Sequence, residues 1–374
     1  MVKILAEKTE KVPRRGYLQT VAGVIGGLVV GGVGGYFAGA AAPKAPVGAA
    51  GPAVSIGVIG KSVHPYWSVV DAGRKAIGDK LGIDTSFFVP SKEDVPTQIS
   101  TVNDYIAAKK SGIIFAPSDP VASADVIAKA IDGGIPLITI DTDAPDSKRL
   151  AYLGTDNLAA GRTAGRLFLE GLSKKGISPT GAKIGVGVGS VTARNAIERI
   201  QGFNEVVKAA GCVPLETVND KEDPVAALSL ASSVIAANPD MVGAFGVYAY
   251  NGPAWAKAAT SAGVAGKLVI VEFDATKDNI DPIKAGTIYG TCAQRQYFMG
   301  YVGVQLVYNM VAYGYYLGNP SKGWDTGLKA LIPGYPTNKI YDTGIDTITL
   351  DTLKSYYDSQ TALGIPPDVI GWSP

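Results

Sequence analysis

Seven clusters of polar and aromatic residues recur along the chain, each just after an apolar run. They are Ser62-Val63-His64-Pro65-Tyr66-Trp67, Pro117-Ser118-Asp119-Pro120, Asp141-Thr142-Asp143, Thr192-Ala193-Arg194-Asn195 with Arg199 a turn later, Tyr248-Ala249-Tyr250-Asn251, Phe273-Asp274 and Gln294-Arg295. If the apolar runs are parallel strands, the clusters share one position, the carboxyl ends where open α/β sheets bind ligands. Their chemistry suits a sugar. Aromatic faces cover the apolar C–H side of a pyranose, while carboxylates, amides and guanidinium pair with its hydroxyls in a water-poor pocket. The candidate binding residues are Tyr66, Trp67, Asp119, Asp141, Asn195, Arg199, Tyr248, Asn251, Asp274 and Gln294. Each residue type also has a purely structural use. Asp141 suits a helix cap, Tyr66 and Trp67 a core, Arg199 a helix surface and His64 the turn before Pro65, and one of Tyr248 and Tyr250 could be buried and inert. The sugar reading rests on recurrence at one structural position.

Other chemistries fit less well. Ser55 to Ser62 nearly matches a phosphate loop, but Ser55 stands where glycine is needed and His64-Pro65 interrupts the turn into the helix. Gly185-Val186-Gly187-Val188-Gly189 lacks the third-glycine spacing of a dinucleotide fingerprint and a clear acidic partner, and reads as a close-packed strand end. His64 is the only histidine, so any mechanism needing one must use it. Cys212 and Cys292 lie in apolar contexts and read as buried thiols, with a disulfide left open. No zinc spacing occurs, and no cofactor is expected. Lys plus Arg number 34 against 33 Asp plus Glu, which offers no basic footprint for nucleic acid.

The elements that position these clusters begin after a distinct leader. Residues 1–20 are basic, and Gly16 to Pro43 carries no charge. Val21–Ala42 is long enough to span a bilayer, which takes about 20 residues. Arg14-Arg15 before this glycine-rich run looks like a twin-arginine export signal, and Ala40-Ala41-Ala42 offers small residues for cleavage. Residues 1–42 are thus an export signal or an uncleaved membrane anchor, and residues 43–53 a Pro/Ala/Gly linker. From Val54 a βα alternation runs to Tyr316, with expected helices at Pro65–Leu81, Asp94–Lys110, Val121–Asp132, Leu158–Leu172, Ala193–Ala210, Pro224–Ala237, Pro253–Ala262, Lys277–Ala285 and Gln296–Tyr316. Short apolar strands separate them, and the pattern predicts two doubly wound α/β domains, enough chain for two cores. After Leu317 the tail is rich in Gly, Pro and Tyr. It holds a short strand candidate, Asp346–Leu350, and a helix candidate, Leu353–Ser359, with the remainder wrapping the surface.

Residues 54–350 resemble periplasmic sugar-binding proteins of the ribose-binding type, the type I solute receptors of ABC importers. The resemblance is carried by VHPYW (63–67), GIPLITIDTDAPDSKRLAYLGTDNLAAGR (134–162), AIERIQGF (196–203), YAYNGPA (248–254), VIVEFDAT (269–276), GTIYGTCAQRQYFMGY (286–301) and YDTGIDTITLD (341–351). It implies two Rossmann-like lobes joined by three crossings, near 155, 293 and 335–345. One lobe comprises 54–155 with 294–335 and the other 156–293, with 336–374 forming the last crossing strand and tail. Tyr66 and Trp67 would stack on the sugar. Asp141, Asp274 and Gln294 would bind hydroxyls, and Arg199 the ring oxygen or a hydroxyl. His64, Ala116, Thr142 and Tyr248 depart from the ribose-binding pattern, so the resemblance does not name the sugar. It implies no catalysis, a monosaccharide or related polyol as ligand, ABC permease subunits as partners, and an extracytoplasmic location, membrane-associated if the leader is retained. Three rivals remain: a sensor of the same fold feeding a signalling receptor, a glycoside-acting enzyme using Asp141 and Asp274 as its acid pair, and a cytoplasmic repressor. The export segment and the lack of a DNA-binding headpiece argue against the last.

Overall fold

The computed structural model describes residues 54–312 and 340–365. The expected leader at 1–42, the linker at 43–53 up to its last residue, the end of the long helix beyond Ala312 and the last nine residues lie outside the described residues. Among those described, no helix is long and apolar enough to cross a membrane.

Runs such as Gly112–Phe115 (GIIF) and Leu137–Ile140 (LITI) have no alternation, and every residue in them is buried, as strands covered on both faces require. The first sheet contains β1 (Ser55–Ile59), β2 (Asp84–Phe88), β3 (Gly112–Phe115), β4 (Leu137–Ile140), β5 (Tyr152–Gly154) and β11 (Ile340–Asp342), in the order β11-β5-β4-β3-β1-β2, all parallel. The second contains β6 (Lys183–Val188), β7 (Val213–Asn219), β8 (Gly243–Gly246), β9 (Val269–Phe273), β10 (Gly290–Gln294) and β12 (Ile345–Thr349), in the order β12-β10-β9-β8-β6-β7. Here β12 alone runs antiparallel, beside β10. The two lobes are built on these sheets, and each has its own apolar core.

Helices cover both sheets, and their starts follow local chemistry. Helix α1 (Pro65–Leu81) begins on a proline, with His64 Nδ1 accepting from the Tyr66 N–H at 3.2 Å. Asp94 caps α2 (Val95–Ala107) through the Thr97 N–H. Helix α3 (Ala124–Asp132) starts three residues later than its expected Val121. The Asp119 carboxylate holds the Val121 and Ala122 N–H groups there, in a turn that precedes the helix. Asp156 caps α4 (Asn157–Lys174), and α5 (Arg194–Ala209) packs against it. Next come α6 (Pro224–Ala237), capped by Asp223, α7 (Asn251–Ser261), and α8 (Lys277–Lys284) with its Thr276/Asn279 capping box. Helix α9 (Gln296–Ala312) returns to pack on α1 in the first lobe.

The tail contributes more than a surface wrap. Besides the expected strand, now β12, it supplies β11, a three-residue strand too short to leave a periodic signal. Helix α10 (Leu353–Ala362) buries Leu353, Tyr356 and Tyr357 against the second lobe's core. Cys212 and Cys292 are both buried and free.

The chain passes between lobes after β5, after β10, and through Thr343-Gly344 between β11 and β12. These crossings bind one another. Asp342 Oδ1 accepts from the Asp156 N–H at 3.0 Å, and Arg295 donates to Asp346 at 2.9 and 3.1 Å and to the Thr343 carbonyl at 3.2 Å.

One packing device serves both lobes. A Cβ on Gly73 of α1 would lie 2.0 Å from the Tyr297 carbonyl oxygen of α9, and one on Gly300 would lie 2.0 Å from that of Val70. In the second lobe, Gly161 of α4 and Gly202 of α5 would each meet the opposite helix's carbonyl at 2.2 Å. Backbone therefore packs on backbone, drawing α5 close enough to bury Arg199, less than one turn before Gly202. Gly202→Ala, which in an open helix would gain about 1 kcal/mol of helix propensity, should here lose about 1–3 kcal/mol to overpacking. Urea denaturation checks the sign of the change.

Candidate functional site

Asp141 and Asp274 follow β4 and β9, central strands of the two sheets, and both adopt left-handed backbone, with φ of 61° and 76°. Asp and Asn enter this region more readily than most side chains, but at a cost. The turn bends each carboxylate off its strand. The Tyr66 hydroxyl donates to Asp141 Oδ1 at 2.7 Å, and the Gln296 amide donates to Asp274 Oδ1 at 3.0 Å. Both aspartates are buried. Burial pushes the Asp274 carboxyl up to about 7, with the Asp141 charge adding to the rise, while the Arg199 charge and the Gln296 hydrogen bond oppose it. The Tyr66 hydroxyl is also held above its ordinary range, first by burial and then by Asp141.

Arg199 is 1 % exposed and lies over the Phe273 ring, its guanidinium carbon 4.1 Å from the ring centre. Nε donates to Asn157 Oδ1 at 2.9 Å and Nη1 to the Val247 carbonyl at 3.1 Å. Nη2 has no partner among the described residues, although it is buried. A buried guanidinium N–H without an acceptor is costly, and such an atom is a natural ligand contact.

The remaining candidates divide. Gln294, at the end of β10, donates to Thr155 Oγ1 at 2.9 Å, across two crossings. Asn195 Oδ1 accepts from the Tyr248 hydroxyl at 3.2 Å. Trp67 stands edge-on to Tyr66, with centroids 5.1 Å apart, and both rings belong to the first lobe's core cluster. Two candidates are engaged by neighbouring loop groups. Asn251 accepts from the Tyr248 N–H at 2.9 Å and donates to Asp220 at 2.7 Å. Asp119 Oδ1 is occupied by the turn before α3.

Several residues of the cluster carry little signal in the sequence. Gln296, two after Gln294, reads in sequence only as the start of a helix. Lys61 reads in sequence only as the lysine of the near phosphate-loop match, yet it is buried, 3.0 Å from Glu222 and 5.1 Å above the Tyr248 ring. The Tyr152 hydroxyl donates to the Asp141 carbonyl at 2.9 Å and supports the strained turn. Asp220 gathers Tyr250 and Asn251, and burial raises its carboxyl to about 6 against those hydrogen bonds. Its only sequence signal was its place after β7. The cluster as a whole is rich in acceptors, with an unpaired arginine donor, and so matches a molecule carrying several hydroxyls.

The periplasmic binding protein domain model matches residues 56–314. The D-allose-binding periplasmic protein of Escherichia coli (strain K12) is 25% identical over 253 residues, covering 65% of this chain and 80% of that protein. The ribose import binding protein RbsB of the same organism is 25% identical over 244 residues, 65% of this chain and 79% of that one. Among solved structures, an ABC transporter solute binding protein from Burkholderia graminis C4D1M in complex with D-arabinose superposes with a TM-score of 0.71 at 28% identity, covering 81% of this chain and 97% of that one. The matched segment takes in both sheets apart from β11 and β12, and the chain belongs to the periplasmic binding protein domain family.

Proposed function

We propose that this protein is an extracytoplasmic receptor that captures a monosaccharide or related polyol between its two lobes and delivers it to the permease of an ABC importer. The observation that carries the reading is the pair of left-handed aspartates, one from each sheet, gathered with Tyr66, Gln296 and the unpartnered Nη2 of Arg199. Its relatives are named for D-allose and ribose, and a structural neighbour holds D-arabinose. Asp141, Asp274, Arg199 and Gln294 are the hydroxyl contacts of this reading, with Tyr66 and Trp67 as the aromatic wall. Residues 54–155 with 294–335, of which 313–335 lie outside the described residues, are assigned to one lobe and 156–293 to the other, and the 1–42 segment exports or anchors the protein. Capture is ligand-driven closure, because a ligand bridging both lobes favours the closed form by its differential affinity.

Aldopentoses, aldohexoses and polyols should be screened by thermal shift. A ligand at a hundred times its Kd stabilises the folded state by about 2.7 kcal/mol, a rise of several degrees. Asp141→Ala and Asp274→Ala should each weaken binding about 10- to 100-fold, as expected for losing hydrogen bonds to a charged group. Unchanged affinity in both would overturn the assignment, and a shift with amino acids but no sugar would overturn the function.

Asp274 also sets a pH dependence. With its carboxyl raised to about 7, the free site is half protonated near neutrality. Hydroxyls donating to the carboxylate favour its charged form, so binding near pH 7 should release part of a proton, and affinity should fall as pH drops below 7. Calorimetry in two buffers of different ionisation enthalpy measures that proton, and Asp274→Asn should abolish its release.

A further inference from the structure

Lys61 is a first-lobe lysine, two residues past β1, and is only 5 % exposed. Its ammonium lies 3.0 Å from Glu222 Oε1, 3.7 Å from Glu93 Oε1 and 5.1 Å above the ring of Tyr248. Glu93 belongs to the same lobe, just before α2. Glu222 and Tyr248 belong to the other. Burial works against the lysine's charge, but the carboxylates, Glu222 first, outweigh it and hold its pKa above the ordinary range.

The second-lobe half of this contact is built in advance. Lys221 and Glu222 are consecutive non-glycine residues in left-handed backbone, with φ of 57° and 59°. Such strain persists only where surrounding structure enforces it. Asp220 does so. It accepts from the Glu222 N–H at 3.0 Å, the Tyr250 hydroxyl at 2.8 Å and the Asn251 amide at 2.7 Å. This also gives Asn251 a task outside the sugar contacts. The strut presents a carboxylate, 11% exposed, to a lysine of the opposite lobe.

We propose that Lys61 and Glu222 form an interlobe latch that populates the closed form before sugar arrives and slows sugar release once it has bound. The pair joins protein to protein, so its contribution to closure is the same for every ligand. Glu93 makes the latch reversible. When the lobes part, Lys61 retains one carboxylate and is never left unpaired in a low-dielectric pocket, the situation that makes a broken buried pair so costly. Lys61 thereby acts as a positioning residue. It sets lobe geometry and holds Tyr248, while the hydroxyl contacts lie elsewhere in the cluster.

The latch acts on the site of the sugar-receptor reading and rests on it for its role in release, but closure can be tested without ligand. Lys61→Met, Glu222→Gln and the double variant would be compared with wild type by small-angle X-ray scattering of the ligand-free protein. Each single variant should show a larger radius of gyration, and the double variant should resemble the singles. Identical scattering from all four overturns the latch, whatever the sugar results. With D-allose, D-ribose and D-arabinose as probes in stopped flow, each single variant should release the bound sugar about tenfold faster, and the double variant should show strong non-additivity. Faster release in Lys61→Met but not in Glu222→Gln would make Lys61 a sugar contact and overturn the proposal. Glu222→Gln is isosteric and remains informative should Lys61→Met fold poorly. If none of these three sugars binds, scattering alone decides the latch, and the receptor reading is decided by the wider thermal-shift screen.

Discussion

The central constraint is the burial of two carboxyl groups on opposite lobes. Asp141 and Asp274 each raise the cost of ionising groups around them, and each sits in backbone geometry that itself costs of order 1 kcal/mol. What offsets this is specific. The Tyr66 hydroxyl serves Asp141, the Gln296 amide serves Asp274, and the Arg199 charge opposes the rise at Asp274. Arg199 is itself expensive to bury, and it reaches the cluster only because Gly161 and Gly202 let α4 and α5 touch through their backbones. A helix-packing detail thus becomes an electrostatic one. The glycine contact sets the helix separation, the separation buries the guanidinium, and the guanidinium moderates the carboxylate.

Much of the fold was legible because its signals are local. Continuous apolar runs such as Leu137–Ile140 have one stable use in a chain of this length, a strand covered on both faces. Helices opening on proline, Pro65–Leu81 and Pro224–Ala237, have the ends read from sequence, since proline and a capping side chain fix the first turn. Where the signal was tertiary, sequence fell short. Strand β11 is Ile-Tyr-Asp, and only pairing with β5 makes it a strand. The antiparallel β12 has the same cause, since its direction is set by a two-residue crossing and not by its own pattern.

The candidate site shows the same division. Asp141, Asp274 and Arg199 were found because each follows a strand end or sits in a helix that starts at one, and the structure brings them into one electrostatic cluster. Asp119 and Asn251 occupy equivalent positions but answer a different need. Their loops contain backbone N–H groups without partners, and the nearest short polar side chain supplies the acceptor. Residue type and position cannot separate these two uses; only the direction of the side chain can. Lys61 is hard to read from sequence for the opposite reason. A lysine after a first strand suggests phosphate, and only the loop of the other lobe, carrying Glu222, reveals its partner.

Residues 294–296 tie hinge and site together. Gln294 donates to Thr155 on the first crossing, Arg295 to Thr343 and Asp346 around the third, and Gln296 to Asp274. Three consecutive side chains therefore register both other crossings and a candidate ligand carboxylate. Rotating one lobe against the other must alter the backbone in or beside this segment, because the crossings are the only covalent paths between the described sheets. Their mutual hydrogen bonds favour their moving as one ribbon, with the change in φ and ψ taken up by a few terminal residues such as left-handed Gly344, which packs against Arg295. The position of the Gln296 amide relative to Asp274 then depends on the hinge angle. In such a design a molecule that alters the hydrogen bonding of Asp274 exerts force on the hinge through a single helical start, without any relay through the core.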